Sequence, residues 1–263
     1  MPHIQIGLVL GGLLGGLAIG VTGMGGGALL APMLVLVFGV DPAAAVGSDL
    51  VTSLIIKPVG GAVHLRQGTV RLDLACWLCL GSVPGAVIGV LILKALGDGA
   101  SSFISVALGV TLLVATAAMV YRDWIKRRPA DAIIDEDPPA RPAPTVVLGL
   151  CGGIVVGMTS VGSGSLMIVV MTMLYPSLSR SRLVGTDLVQ AIPLVGSAAV
   201  SHLVLLHTVK LAVTASLVIG ALPGDLRRGA TVVPVRRSLA EGGHPTAVGG
   251  QWREAARRLS SVA

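Results

Sequence analysis

The sequence predicts an all-α polytopic membrane protein: two homologous repeats of about four transmembrane helices, each opening with a glycine-broken helix. Three observations carry this. Hydrophobic residues make up 53% of the chain and charged residues 12%, with a mean hydropathy of +0.87; an ordinary soluble domain has roughly a quarter of its residues charged. Several apolar windows have about the ~20-residue length that crosses a hydrocarbon core. An ordered set of short motifs in the first half returns in the second. A soluble core does not account for so many uncharged windows in one chain.

The first element is the apolar stretch Ile4–Phe38. It lacks a basic n-region and runs past any cleavage site, so it is not expected to be a cleavable signal peptide. As one helix it would be roughly 52 Å long at 1.5 Å per residue, against a core of ~30 Å. Five glycines fall between Gly20 and Gly27, and glycine is the weakest helix former after proline. The chain must therefore unwind or turn back there. Spans follow at Ala43–Leu65, Leu74–Leu96 and Ser102–Tyr121, closing a first repeat over residues 1–121.

Residues 122–144 are polar and proline-rich, an extended linker. The second repeat covers residues 145–224, with spanning runs at Thr145–Leu174 and Leu183–Leu206. "GLAIGVTGMGGGAL" (Gly16–Leu29) aligns with "GIVVGMTSVGSGSL" (Gly153–Leu166), "VGSDLV" (Val46–Val51) with "VGTDLV" (Val184–Val189), His64 with His202, and "GSVPG" (Gly81–Gly85) with "GALPG" (Gly220–Gly224). The offset drifts only from 137 to 139 residues. Duplication produces such an order, and internal repeats are a common construction for secondary transporters. Residues 225–263 form a basic tail with no spanning window, so the repeat ends short; a frameshifted or replaced C-terminus is the expectation, with a basic tail on the membrane face as the alternative.

The net charge of +6 gathers in Tyr121–Arg128 and in the tail. Basic residues beside a span mark the cytoplasmic side, with Tyr121 and Trp124 at headgroup level. Topology explains this charge without nucleic-acid binding. Arg66, Arg71, Arg180 and Arg182 leave the repeat orientation open: a single broken crossing makes the repeats parallel, a re-entrant hairpin makes them inverted. Cys76 and Cys79 have redox-like spacing but sit within a span with no second pair or nearby His, and are taken as apolar filler.

The glycine break occurs in both halves, as Thr22–Gly27 and Thr159–Gly164. Half-helices meeting there would aim free amides and positive dipole ends at an anion. The candidate substrate-binding residues are Thr22, Gly25, Gly26 and Gly27 with Thr159, Gly162, Ser163 and Gly164. Close helix packing is the competing reading, and it is the one taken for Gly11, Gly12, Gly15 and Gly16. Gly23–Ala28 also fits a loosened dinucleotide fingerprint, but no strand precedes it and the second copy breaks the pattern.

The duplicated glycine breaks, the G-S/T-D-L motifs, the basic turns and the "PG" in the following helix resemble the TauE/SafE-type sulfite exporter family over roughly Gly7 to Gly224. The resemblance implies a multi-pass permease of the bacterial cytoplasmic membrane, without cofactor or catalysis. It would move sulfite, a sulfonate or another organosulfur anion by alternating access, coupled to an ion gradient. Within the spans, Asp49 and Asp187 are candidate ion couplers, because a carboxylate at membrane depth is expensive and usually functional; capping a helix end is the alternative. The expected coupling ion is the proton. Ser48 and Thr186 would offer hydroxyls to substrate. Lys57, matched by Val195 in the second half, would pair with Asp49 or hold an anion, or else snorkel. His64 and His202 are expected to make structural hydrogen bonds. Other functions, a membrane-embedded assembly or maturation factor or a scaffold, call for ligand clusters or for insensitivity to glycine substitution.

Overall fold

The structure is a computed structural model and describes residues 6–22, 30–125 and 139–221. All the regular structure in these residues is helical: α1 (Ile6–Thr22), α2 (Leu30–Leu36), α3 (Pro42–Arg66), α4 (Leu72–Leu96), α5 (Ala100–Ile125), α6 (Pro142–Thr159), α7 (Ser165–Leu174) and α8 (Arg180–Ser201), then α9 (Leu211–Ala221). A 3-10 turn at Gly97–Gly99 joins α4 to α5, and a π-turn, His202–Leu206, extends α8. Pro42–Arg66, Pro142–Thr159 and Arg180–Leu206 are each long and apolar enough to cross a membrane, as is the run Leu72–Ala117 that contains α4 and most of α5. Exposure is inverted relative to a soluble protein: Leu113 is 72% exposed, whereas Asp49 and Asp187 are buried.

Local chemistry sets the helix starts. Pro42 occupies the first turn of α3, where its missing N–H costs nothing, and Asp41 caps it by accepting the Ala44 amide at 3.1 Å. Ser179 caps α8 by accepting the Arg182 amide. The capping reading of the buried acids therefore falls to Asp41; Asp49 and Asp187 lie inside their helices.

The helices on either side of each break lie against one another. A Cβ on Gly15 would strike Leu30, one on Gly11 would strike Met33 and Phe38, and one on Gly7 would touch Phe38. α2 therefore returns alongside α1. In the second half Gly152 faces Met167, and the Tyr175 hydroxyl beyond α7 reaches back to Thr145 Oγ1 (2.6 Å) and the Arg141 amide (2.9 Å) before α6.

Glycine seams lock these hairpins to the spans. Gly81, Gly85 and Gly89 of α4 meet the backbone carbonyls of Val146, Leu150 and Ile154 on α6, while Gly149, Gly153 and Gly157 meet those of Leu78, Ser82 and Ala86. On the other flank Gly12 and Gly16 of α1 meet the carbonyls of Leu217 and Ala221, and Gly220 meets that of Val9. The sequence alignment matches the three contacts of this second flank, at Gly12, Gly16 and Gly220, with those at Gly149, Gly153 and Gly81. The seams leave no room for a Cβ, the mode by which small residues join helices in lipid. Gly153→Val is expected to destabilise the protein by about 1–3 kcal/mol or more through overpacking. Gly109→Val, on α5 with open space around it, is the control. Thermal unfolding in detergent should show a lowered midpoint for the first variant alone.

Helix directions follow from the contacts. Gly47 on α3 lies against Thr208 and His202, Gly196 on α8 against Leu54, Gly60 against Leu188, and Gly185 against His64 and Thr69. α3 and α8 thus run antiparallel. Ser101 donates to Asp41 at 2.8 Å, placing the start of α5 beside the start of α3. The α3–α4 turn, the end of α5, the start of α6 and the start of α8 consequently share one side.

Candidate functional site

The polar residues in the middle of α3 are buried: Ser48, Asp49 and Thr52 are fully covered, Ser53 and Lys57 nearly so. Asp49, Ser53 and Lys57 follow each other at four-residue steps, which puts them on one helix face. That face looks into the bundle because α8 and the second glycine turn cover it. α8 brings Thr186, Asp187 and Gln190, also buried.

The turn Thr159–Gly164 is built for close approach. Ser160 has a left-handed φ of 59°, and Gly162 and Gly164 have φ of 113° and 128°, where a Cβ is strained. Thr159 Oγ1 donates to the Val155 carbonyl at 2.7 Å and accepts the Val161 amide at 3.2 Å. That amide would otherwise continue α6 by bonding Gly157. The carbonyl of Gly157 is instead met by His202 Nε2 at 2.9 Å, so Nε2 carries the proton and Nδ1 faces the Thr208 hydroxyl at 3.1 Å. α7 then opens at Ser165 with no side-chain cap.

Two α3 side chains grip this turn. Lys57 Nζ donates to Ser163 Oγ at 2.7 Å and to the Ser163 carbonyl at 3.3 Å. Ser160 Oγ donates to Asp49 Oδ2 at 2.7 Å. Lys57 also attracts Asp187 and Asp49 electrostatically. Asp187 accepts from Gln190 Nε2 at 3.2 Å, and Gln190 Oε1 accepts from Ser82 Oγ at 3.2 Å. One ammonium, two carboxylates, three serines and an amide thus converge from α3, α4, α8 and the turn. Chemically the cluster offers a cation and hydroxyl donors to an anion, and carboxylate oxygens to a proton.

Of the residues predicted from sequence, Lys57, Asp49 and Asp187 meet around Ser163 or close to it. Ser48 and Thr186 engage backbone instead: Ser48 Oγ accepts the Lys210 amide at 3.2 Å, Thr186 Oγ1 the Arg71 amide at 3.0 Å. The two contacts are crosswise: Ser48 on α3 fastens the start of α9, and Thr186 on α8 fastens the start of α4. Gly25, Gly26 and Gly27 lie outside the described residues, and of Thr22 only its place at the end of α1 is described. His64 bonds Thr69 as His202 bonds Thr208. Both histidines tie down turns, as expected. Cys76 and Cys151 are exposed free thiols, and Cys79 donates to the Gln190 carbonyl at 3.7 Å. Among the described residues no three His, Cys, Asp or Glu side chains gather as a metal site.

Ser160, Ser53, Gln190 and Ser82 were not singled out by sequence. The available signal was spacing: Ser53 stands four residues after Asp49 and Gln190 three after Asp187, on the same helix faces. Ser160 was hidden by the alignment, which matches it with Gly23.

Comparison with known proteins bears on what this cluster serves. The profile of the "Sulfite exporter TauE/SafE" family matches residues 8–226. The chain is 35% identical over 227 residues to "Probable membrane transporter protein YjnA" of Bacillus subtilis (strain 168), covering 85% of this chain and 88% of that protein. No solved structure matches.

Proposed function

The chain belongs to the sulfite exporter TauE/SafE family and is a multi-pass membrane transporter; from this premise we propose that it carries a small sulfur-containing anion by secondary, proton-coupled alternating access. The observation that carries the reading is Lys57. It is a buried cation at mid-span, with its ammonium held against the strained glycine turn by Ser163. A charge at that depth is costly and marks an ion path. The nearby uncapped start of α7 adds the positive end of a helix dipole. Lys57, Ser163 and the backbone of Gly162–Gly164 are the proposed anion contacts. Thr159 shapes the turn, and Thr22 with Gly25, Gly26 and Gly27 is proposed as the matching half.

Charge balance supports the proton. With Asp49, Asp187 and Lys57 all ionised the cluster carries one net negative charge, and an added anion raises that in a low dielectric. One proton taken up on Asp49 or Asp187 restores the original balance, so anion and proton move together. The test is uptake of radiolabelled sulfite by proteoliposomes under an imposed pH gradient. Accumulation on the alkaline side supports the reading; uptake no greater than in protein-free vesicles contradicts it.

Orientation enters the same proposal. The antiparallel α3 and α8, which the alignment equates, support inverted repeats. Arg66, Arg71, Arg122, Arg141, Arg180 and Arg182 then fall on one side, which the excess of basic residues makes cytoplasmic. The proposed location is the bacterial cytoplasmic membrane. In a variant lacking the three native cysteines, Asp98→Cys should react with an impermeant maleimide in intact cells. Gln67→Cys should react only after permeabilisation, and the reverse pattern contradicts the orientation.

A further inference from the structure

We propose that Ser53 is a substrate-contacting hydroxyl whose proton is redirected by protonation of Asp49, so that this pair couples proton binding to anion binding. The inference rests on the transport reading above and goes beyond it by assigning the coupling to particular atoms.

Among the described residues, two buried side-chain polar atoms have no hydrogen-bond partner: Asp49 Oδ1 and Ser53 Oγ. Buried polar groups are nearly always satisfied, so each such atom calls for an explanation. These two belong to residues four apart on one face of α3, where side chains are neighbours. Their surroundings are otherwise satisfied. Ser160 donates to Asp49 Oδ2, Thr52 Oγ1 is spent on the Ser48 carbonyl at 2.8 Å, and Lys57 is held on Ser163. The charged group that acts on the pair is Lys57 on α3 itself, and Lys57 in turn faces Asp187 on α8. The described residues of the glycine turn bring no charged side chain, but the hydroxyls of Ser160 and Ser163 and the Ser163 carbonyl.

Because Oδ2 already accepts from Ser160, a proton arriving at Asp49 adds to Oδ1. A serine hydroxyl has one proton to give and two lone pairs to receive, whereas an ionised carboxylate only accepts. With Asp49 ionised, side-chain rotation directs the Ser53 O–H to Oδ1, and the hydroxyl presents no proton elsewhere. With Asp49 protonated, the carboxyl O–H donates to Ser53 Oγ, and Ser53 turns its own proton to an oxygen of the anion. The anion therefore binds best to the protonated protein. By linkage it raises proton affinity by the same factor. The second half lacks this device: Asp187 is held by Gln190, and Gln190 by Ser82.

The test uses the full chain in proteoliposomes and methanesulfonate, whose charge is constant between about pH 5 and 9. In the wild type the KM for uptake should rise about ten-fold or more from the acid to the alkaline end. Ser53→Val should cut that rise to about three-fold or less, the remainder being the charge balance of Asp49 and Asp187, with KM raised at acid pH. Ser53→Thr, nearly isosteric with Val but bearing the hydroxyl, should keep the slope. A purely structural role would lower the amount of protein or kcat and leave the slope intact. A wild-type KM that does not change with pH overturns the switch while leaving transport standing, as does a Ser53→Val profile parallel to the wild type. Absence of saturable uptake of both methanesulfonate and sulfite by the wild type overturns the transport reading, and the switch with it.

Discussion

Replacing Lys57 by methionine is expected to lower anion flux about thirty-fold or more at equal expression. Methionine fills nearly the same volume, so packing of α3 against the glycine turn is retained while the charge is lost. Removing one partner from a buried, hydrogen-bonded charge cluster costs about 2 kcal/mol or more, which is that factor in affinity or rate. The cluster would retain two carboxylates with no cation, which repels the substrate as well as failing to hold it. Ser163 would also lose the donor at 2.7 Å that fixes its hydroxyl. Lys57→Arg should recover part of the flux, because the charge returns while the planar fork fits poorly where a point charge sat. Flux unchanged in Lys57→Met would assign the lysine to helix packing.

The second large effect is expected from Asp49→Asn. An asparagine amide permanently presents an N–H₂ group, so it imitates the protonated acid. It should donate to Ser53 at every pH while its carbonyl still accepts from Ser160. The expected variant exchanges anion across the membrane at near wild-type rates yet no longer accumulates it against a gradient. Accumulation driven by a pH difference should fall about ten-fold or more. Asp187→Asn is expected to lower accumulation by less than about three-fold, since Gln190 already holds that side chain. Equal loss in the two variants would contradict the division of labour between them. Counterflow and gradient-driven uptake, measured on the same vesicles, separate these results.

The spans were legible because lipid imposes length and apolarity on every turn of a crossing helix. Ala43–Leu65, Leu74–Leu96 and Ser102–Tyr121 fall within α3, α4 and α5. The break at Thr159–Gly164 was legible for the complementary reason, since an apolar run too long for the bilayer must fold within it. Its direction was not. A kinked crossing and a hairpin have the same composition, and the distinction lies in contacts such as Gly152 with Met167 or Tyr175 with Thr145. The run Thr145–Leu174 accordingly divides into α6 and α7, and α6 begins at Pro142, inside the stretch expected to be linker.

Within the site, ionisable residues in apolar spans announced themselves through their desolvation cost, which is why Asp49, Asp187 and Lys57 were legible. Their partners were not, since serine and glutamine are unremarkable in a sequence. Lys57 and Ser163 are also 106 positions apart. The internal alignment helped and misled in turn. It equated Asp49 with Asp187, yet the first is held by Ser160 and the second by Gln190, because Gly23 stands where Ser160 would be and Thr52 where Gln190 would be.

The most direct measurement is equilibrium binding of radiolabelled sulfite to purified protein, wild type against Lys57→Met, with methanesulfonate as competitor. Saturable, competable binding by the wild type that is lost in Lys57→Met is the predicted result. Binding of the same strength to both proteins would contradict an anion site at Lys57 and the glycine turn.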